Sequence, residues 1–153
     1  MGEAGNGATF TITFATFVTD ALNLKKTTMI AGRILLIDDD GDDCLFFCEA
    51  LETVAPEIVC HTSSSGQYAL RELSGQEIEM PDLIFLDVNM PVMSGWQCLC
   101  ELKDGAYKHI PVIMHSNSSH REDIDKAHRF GAFCFFYKAQ QFQRIKEKPG
   151  NRS

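Results

Sequence analysis

Two short apolar runs, each ended by aspartate, constrain this chain more than any other feature. Arg33-Ile34-Leu35-Leu36-Ile37 leads into Asp38-Asp39-Asp40, and Leu83-Ile84-Phe85-Leu86 leads into Asp87. Both runs are continuous rather than alternating, as expected of strands buried on both faces of a parallel sheet. The acids then fall at the carboxyl edge, where open α/β sheets bind ligands at the point where the strand order reverses. Asp38, Asp39 and Asp87 are therefore expected to converge although they are far apart in sequence. Carboxylates brought together without a counter-charge repel, by roughly 4 kcal/mol per pair at 4 Å and an effective dielectric of 20. A positive group must join them. A hard, oxygen-seeking cation, magnesium being the usual choice, suits carboxylates that lack a nearby His or Cys ligand set.

Composition bounds the rest. With 153 residues, 44% hydrophobic and 23% charged, the chain is expected to form one soluble domain. A formal net charge of −7 and a pI near 5.1 argue against non-specific nucleic-acid binding, which draws on Lys and Arg to neutralise phosphates. Asp38, Asp39, Asp40, Asp42 and Asp43 concentrate much of that charge in one segment. No run approaches the ~20 apolar residues of a membrane helix, and Met1-Gly2-Glu3 opens no basic leader, so a cytoplasmic protein without membrane attachment is expected. Asn6 stands where a myristoylation signal requires Ser or Thr. The six cysteines include no C-x-x-C pair and read as buried, reduced thiols acting as small hydrophobes in a reducing compartment. The five histidines show no metal-ligand spacing, and His115 reads as a satisfied strand histidine rather than a ligand.

Residues 1–30 differ in kind from the remainder of the chain. Gly2 to Gly7 is linker-like, Thr9 to Phe14 alternates like an exposed strand, and Met29 lies just before the first core strand. The segment is expected to be a flexible extension or an overlong start, with the domain at 31–148 and a tail at 149–153. From Arg33 onward, strands near 33–38, 57–61, 82–87, 110–115 and 133–137 alternate with helices in βα rhythm. Residues 41–54 carry Cys44, Phe47, Leu51 and Val54 on one helical side, and 65–75 carry Ala69, Leu70 and Leu73. Ser94 to Gln97 and Ser119 to Glu122 read as capping boxes opening the third and fourth helices, and Gly131 suits the end of the fourth. Asp40, Asp42 and Asp43 read as cap and first-turn residues, and a short fifth helix is expected at 140–148.

Four separated segments carry a family resemblance: Ile34 through Asp40; Asp87-Val88-Asn89-Met90-Pro91-Val92-Met93-Ser94-Gly95; Pro111-Val112-Ile113-Met114-His115-Ser116; and Gly131-Ala132 through Lys138. In this order the chain resembles a response-regulator receiver domain. The resemblance implies a flavodoxin-like, doubly wound sheet of five parallel strands in the order 2-1-3-4-5, with helices on both faces. It implies that Asp87 accepts a phosphoryl group from a sensor histidine kinase or a histidine phosphotransfer protein. It implies a magnesium site of Asp39, Asp38, Asp87 and the backbone carbonyl of Asn89. Lys138 would meet the phosphoryl oxygens, Ser116 would be the switch hydroxyl, and Phe135 the coupled aromatic, although Phe135 reads equally well as core. Phosphoryl transfer needs in-line positioning and charge neutralisation more than acid or base chemistry, which such a constellation supplies.

One departure stands out: Ala139 follows Lys138 where the family carries Pro, and a cis bond before a non-proline residue costs about 3–4 kcal/mol. The short fifth helix, with Phe142 and Ile145 on one side, points to a monomer or weak dimer. Trp96 opens the helix after the Asp87 loop and is expected to pack there as a reporter. The expected function is a single-domain response regulator that is not an enzyme in the usual sense and switches the binding of an unknown downstream protein. Two alternatives remain from the sequence. A haloacid-dehalogenase-type phosphohydrolase would use Asp38-x-Asp40-Gly41 with Asp38 as nucleophile, and a pseudo-receiver would bind partners without phosphorylation.

Overall fold

The computed structural model describes residues 32–116 and 120–137. Among the described residues, nine elements succeed one another: β1 (Arg33–Ile37), α1 (Gly41–Val54), β2 (Val59–Ser63), α2 (Gly66–Ser74), β3 (Leu83–Asp87), α3 (Gly95–Lys103), β4 (Val112–Ser116), α4 (Arg121–Arg129) and β5 (Cys134–Tyr137). The strands form one parallel sheet in the order β2-β1-β3-β4-β5. The order reverses between β1 and β3, so their carboxyl ends flank the crevice that such a sheet opens.

The continuous apolar runs are explained by two cores, because successive strand residues point to opposite faces. Ile34, Leu36, Leu83, Phe85 and Ile113 face α1 and pack with its Phe47, Ala50 and Leu51. Leu35, Ile37, Ile84, Leu86, Val112 and Met114 face the other way, against Ala69 and Leu73 of α2, Leu99 and Leu102 of α3, and Ala127 of α4. Phe47 and Phe85 meet edge-to-face with centroids 4.8 Å apart, and both are fully buried. Truncation of Phe47 to Ala should therefore lower stability by about 3–5 kcal/mol, read as a lower urea midpoint with an unchanged slope.

Polar contacts fix the ends of the elements. Asp40 caps α1, its Oδ1 accepting from the backbone N–H of Asp42 at 2.9 Å and of Asp43 at 3.2 Å. Ser94 and Gln97 form the expected reciprocal capping box at α3, and Gly131 takes a φ of +96° just past α4. α4 departs from expectation. Its N-cap is His120 without a side-chain cap bond, rather than Ser119, which lies outside the described residues. The backbone N–H groups of Asp123 and Ile124 both donate to the His120 carbonyl, and Glu122 and Asp123 place negative charge in the first turn. Two strands begin two residues later than expected. Ile58 N–H closes a turn onto Ala55 O at 3.0 Å, delaying β2 to Val59. Ile110 N–H closes another onto Tyr107 O at 3.0 Å, and Pro111 has no N–H to give the ladder, so β4 starts at Val112.

Cys44 and Cys48 lie on α1, Cys60 on β2, Cys98 and Cys100 on α3 and Cys134 on β5, in environments that differ from a uniform buried set. Cys98 is buried, Cys100 is exposed, and Cys44, Cys48, Cys60 and Cys134 are half-buried. A one-sided helix leaves its other side to solvent, and a cysteine near the margin of the apolar face is only partly covered. The expected extension at 1–30, the helix at 140–148 and the Lys138–Ala139 bond lie outside the described residues.

Candidate functional site

The site forms where β1, β3 and β4 end together. Asp38 leaves β1 with its backbone N–H donating to Ser63 O at 3.0 Å, which holds it at the sheet edge. Its Oδ1 accepts from Asp40 N–H at 2.9 Å, and the residue is only 2% exposed. Asp39 is exposed beside it. Asp87 is the last residue of β3 and is 4% exposed. Ser116 ends β4, fully buried. Convergence of Asp38 and Asp87, read from strand-end position alone, is thus found in space.

His115 is the residue whose place the sequence did not reveal. It pairs in register with Asp87 across β3 and β4, so both side chains leave the same face of the sheet. It is 1% exposed and sits edge-on to Phe85, with centroids 6.1 Å apart. One ligand atom each from Asp38, Asp87 and His115 fall within 4.8 Å of one another. The available signal was a polar residue closing the apolar run Val112-Ile113-Met114; strand registry supplied the rest.

The loop after Asp87 is held tightly. Val88 N–H donates to His115 O at 3.0 Å, and Gly95 N–H returns to Val88 O at 2.8 Å. A Cβ on Gly95 would run into the Asp87 carbonyl oxygen and stand 2.7 Å from Val88 Cα, so this position admits only glycine. Between them Met93 N–H donates to Pro91 O at 2.7 Å, closing a three-residue turn on Val92, whose φ is +68°. A β-branched residue in that region is strained. Val92→Gly should raise stability by up to about 1 kcal/mol, measured by thermal unfolding. Asn89 is exposed on this loop.

The remaining expected residues fall on the far side of the sheet or beyond the described segments. Phe135 is half-buried, pairs in register with Met114 and packs on the core between the sheet and α2 to α4. Trp96 packs on Phe130 at 6.0 Å, with Lys126 Nζ 4.5 Å from its ring centroid, and so reports on the α3–α4 contact. Lys138 lies outside the described residues.

The donor set fits a divalent cation. Two buried carboxylates with a third at the adjacent position offer hard oxygen donors, and their mutual repulsion falls when a dication sits among them. A cleft of about 400 Å³ lined by Asp38, Asp39, Gly41, Cys44, Cys48 and Ser63, among others, gives access from solvent.

Fold and site together define a flavodoxin-like α/β domain with an acidic crevice at its switch point. The chain belongs to the response regulator receiver domain family, whose profile matches residues 34–148. It is 26% identical over 117 residues to the response regulator Rcp1 of Synechocystis, covering 73% of this chain and 80% of that protein. A probable cyclic di-GMP phosphodiesterase of Vibrio cholerae is 28% identical over 145 residues, 94% of this chain but only 32% of its own length. A solved structure of a phosphorylated cyanobacterial phytochrome response regulator, RcpA, superposes with a TM-score of 0.66 at 28% identity, covering 77% of this chain and 92% of that one. Membership sets aside the phosphohydrolase alternative. Receiver domains of this kind interact with histidine kinases or phosphotransfer proteins and generally bind Mg2+ at an acidic pocket. No helix among the described residues is long and apolar enough to cross a membrane.

Proposed function

We propose that this receiver domain takes a phosphoryl group onto Asp87 from a phosphohistidine of a sensor kinase or phosphotransfer protein, and thereby switches the binding of a downstream protein. The observation that carries this reading is the pair of buried strand-end carboxylates, Asp38 and Asp87, brought from separate strands to within 4.8 Å. In the transfer, an Asp87 carboxylate oxygen forms the new O–P bond as the N–P bond of the donor imidazole breaks. Asp38, Asp39, Asp87 and the Asn89 carbonyl would hold Mg2+, which when bound neutralises charge on the phosphoryl oxygens. Lys138 adds a point cation to those oxygens. Ser116, at the end of the neighbouring strand, donates its hydroxyl to the new anion. Phe135, on β5 shortly before Ser116's register partner Tyr137, accompanies that movement.

Burial aids this chemistry. The walls formed by Phe85 and the strand ends lower the local dielectric, so charge placed beside Asp87 acts more strongly than it would in water. The test is the intact mass of the protein after incubation with acetyl phosphate and magnesium. A single-phosphoryl gain that requires magnesium is expected, and its absence with magnesium bound would leave a pseudo-receiver. Asp38→Asn should weaken divalent-cation binding at least about tenfold by calorimetric titration, because one charge facing the dication is lost.

A further inference from the structure

By sequence the cysteines read as inert, but the fold sets two of them face to face. Cys48 lies on α1 and Cys60 on β2, and their sulfurs are 3.6 Å apart, sharing a thiol hydrogen bond. A disulfide needs about 2.05 Å between sulfurs, a closure of roughly 1.5 Å from their present separation. Cys48 also lines the cleft that holds Asp38 and Asp39, so a small oxidant entering from solvent meets it there. Cys60 is the deeper partner, packed against the core beneath α1. Contact with the Cys60 sulfur lowers the Cys48 thiol, against burial and the charges of Glu49 and Glu52. The same contact, with burial, pushes Cys60 up. Cys48 at the cleft is thus placed to attack, with the deeper Cys60 3.6 Å behind it, the division of labour between attacking and resolving thiols.

We infer that Cys48 and Cys60 are a modification site: a dithiol that a hydroperoxide converts to an intramolecular disulfide joining α1 to the edge strand beside the cleft lined by Asp38 and Asp39. The Cys48 thiolate attacks one peroxide oxygen, the O–O bond breaks, and hydroxide leaves, giving a sulfenic acid. Cys60 sulfur then attacks Cys48 sulfur, the S–S bond forms, and the sulfenic oxygen departs as water with the Cys60 proton. Two electrons pass from the thiols to the peroxide. Two thiols and one hydrogen peroxide become one disulfide and two waters.

The experiment treats the full chain with hydrogen peroxide, blocks remaining thiols, and maps the peptides by mass, without involving phosphorylation. The expected product is a Cys48–Cys60 cross-linked peptide lighter by two hydrogens and restored by dithiothreitol. It should form equally in Cys100→Ser, where the exposed thiol is gone, and vanish in Cys48→Ser. In Cys60→Ser a dimedone-reactive sulfenic acid should accumulate at Cys48. Oxidation confined to Cys100, or a wild-type protein whose Cys48 and Cys60 stay alkylatable after peroxide, overturns the assignment. The wild-type map decides the matter even if a serine variant fails to fold.

Discussion

Asp87→Asn should abolish the covalent phosphoryl gain from acetyl phosphate and magnesium, taking it from one group per chain to none, while the circular dichroism of the protein is unchanged. The amide is nearly isosteric with the carboxylate but is not a nucleophile, and Asp87 is the carboxylate that ends β3 at the crevice. Asp38→Asn differs in kind. Its Oδ1 is turned to the Asp40 N–H, a contact the amide oxygen can keep, so this variant should retain a slow gain that rises at high magnesium. Should the reverse be found, with phosphorylation surviving in Asp87→Asn and lost in Asp38→Asn, the nucleophile would be Asp38 and the proposed function would fall. The comparison is informative because both residues are buried at strand ends and both are members of one charge cluster.

Gly95→Ala should be the most damaging single methyl in the loop. Its Cβ would overlap the Asp87 carbonyl oxygen, backbone that cannot rotate away as a side chain can. Either the hydrogen bond from Gly95 N–H to Val88 O breaks or β3 and the start of α3 move apart. Overpacking of this kind costs about 3 kcal/mol, which for a domain of this size is a fall of roughly 10 °C in Tm. Because the displaced atoms belong to Asp87 itself, phosphorylation should slow as well, by about a hundredfold for a shift near 1 Å. Gly105, whose Cβ would meet nothing closer than the Glu101 carbonyl oxygen at 4.0 Å, is the control: Gly105→Ala should change both readouts little. Equal stability of the two variants would show that the β3–α3 connection is softer than its contacts indicate.

Much of the architecture was legible because local chemistry and global fold agree. Continuous apolar runs are required of strands covered on both sides, Asp40 and Ser94 announce their helices through side-chain caps, and Asp38 and Asp87 end strands in a sheet that must bring those ends together. The errors lie where a local signal met a competing contact. Ser119 and Glu122 have the spacing of a capping box, yet α4 starts from the His120 carbonyl. Residues 57 and 58 have strand-like neighbours, yet the turn onto Ala55 claims Ile58 first.

The candidate site divides along the same line. Sequence by itself determined that acidic residues would stand at the carboxyl edge, since a strand's end and its sheet edge are fixed by hydrophobic pattern. It also determined the caps of α1 and α3, which act within a few residues of themselves. Only the tertiary structure decided that His115 stands across from Asp87, and that Cys48 touches Cys60, because each pairing depends on registry between segments that sequence separation says nothing about. Moving a strand by one residue turns its side chains to the opposite face, so these contacts come from the packing of the whole sheet and of α1 upon it, and from no local pattern.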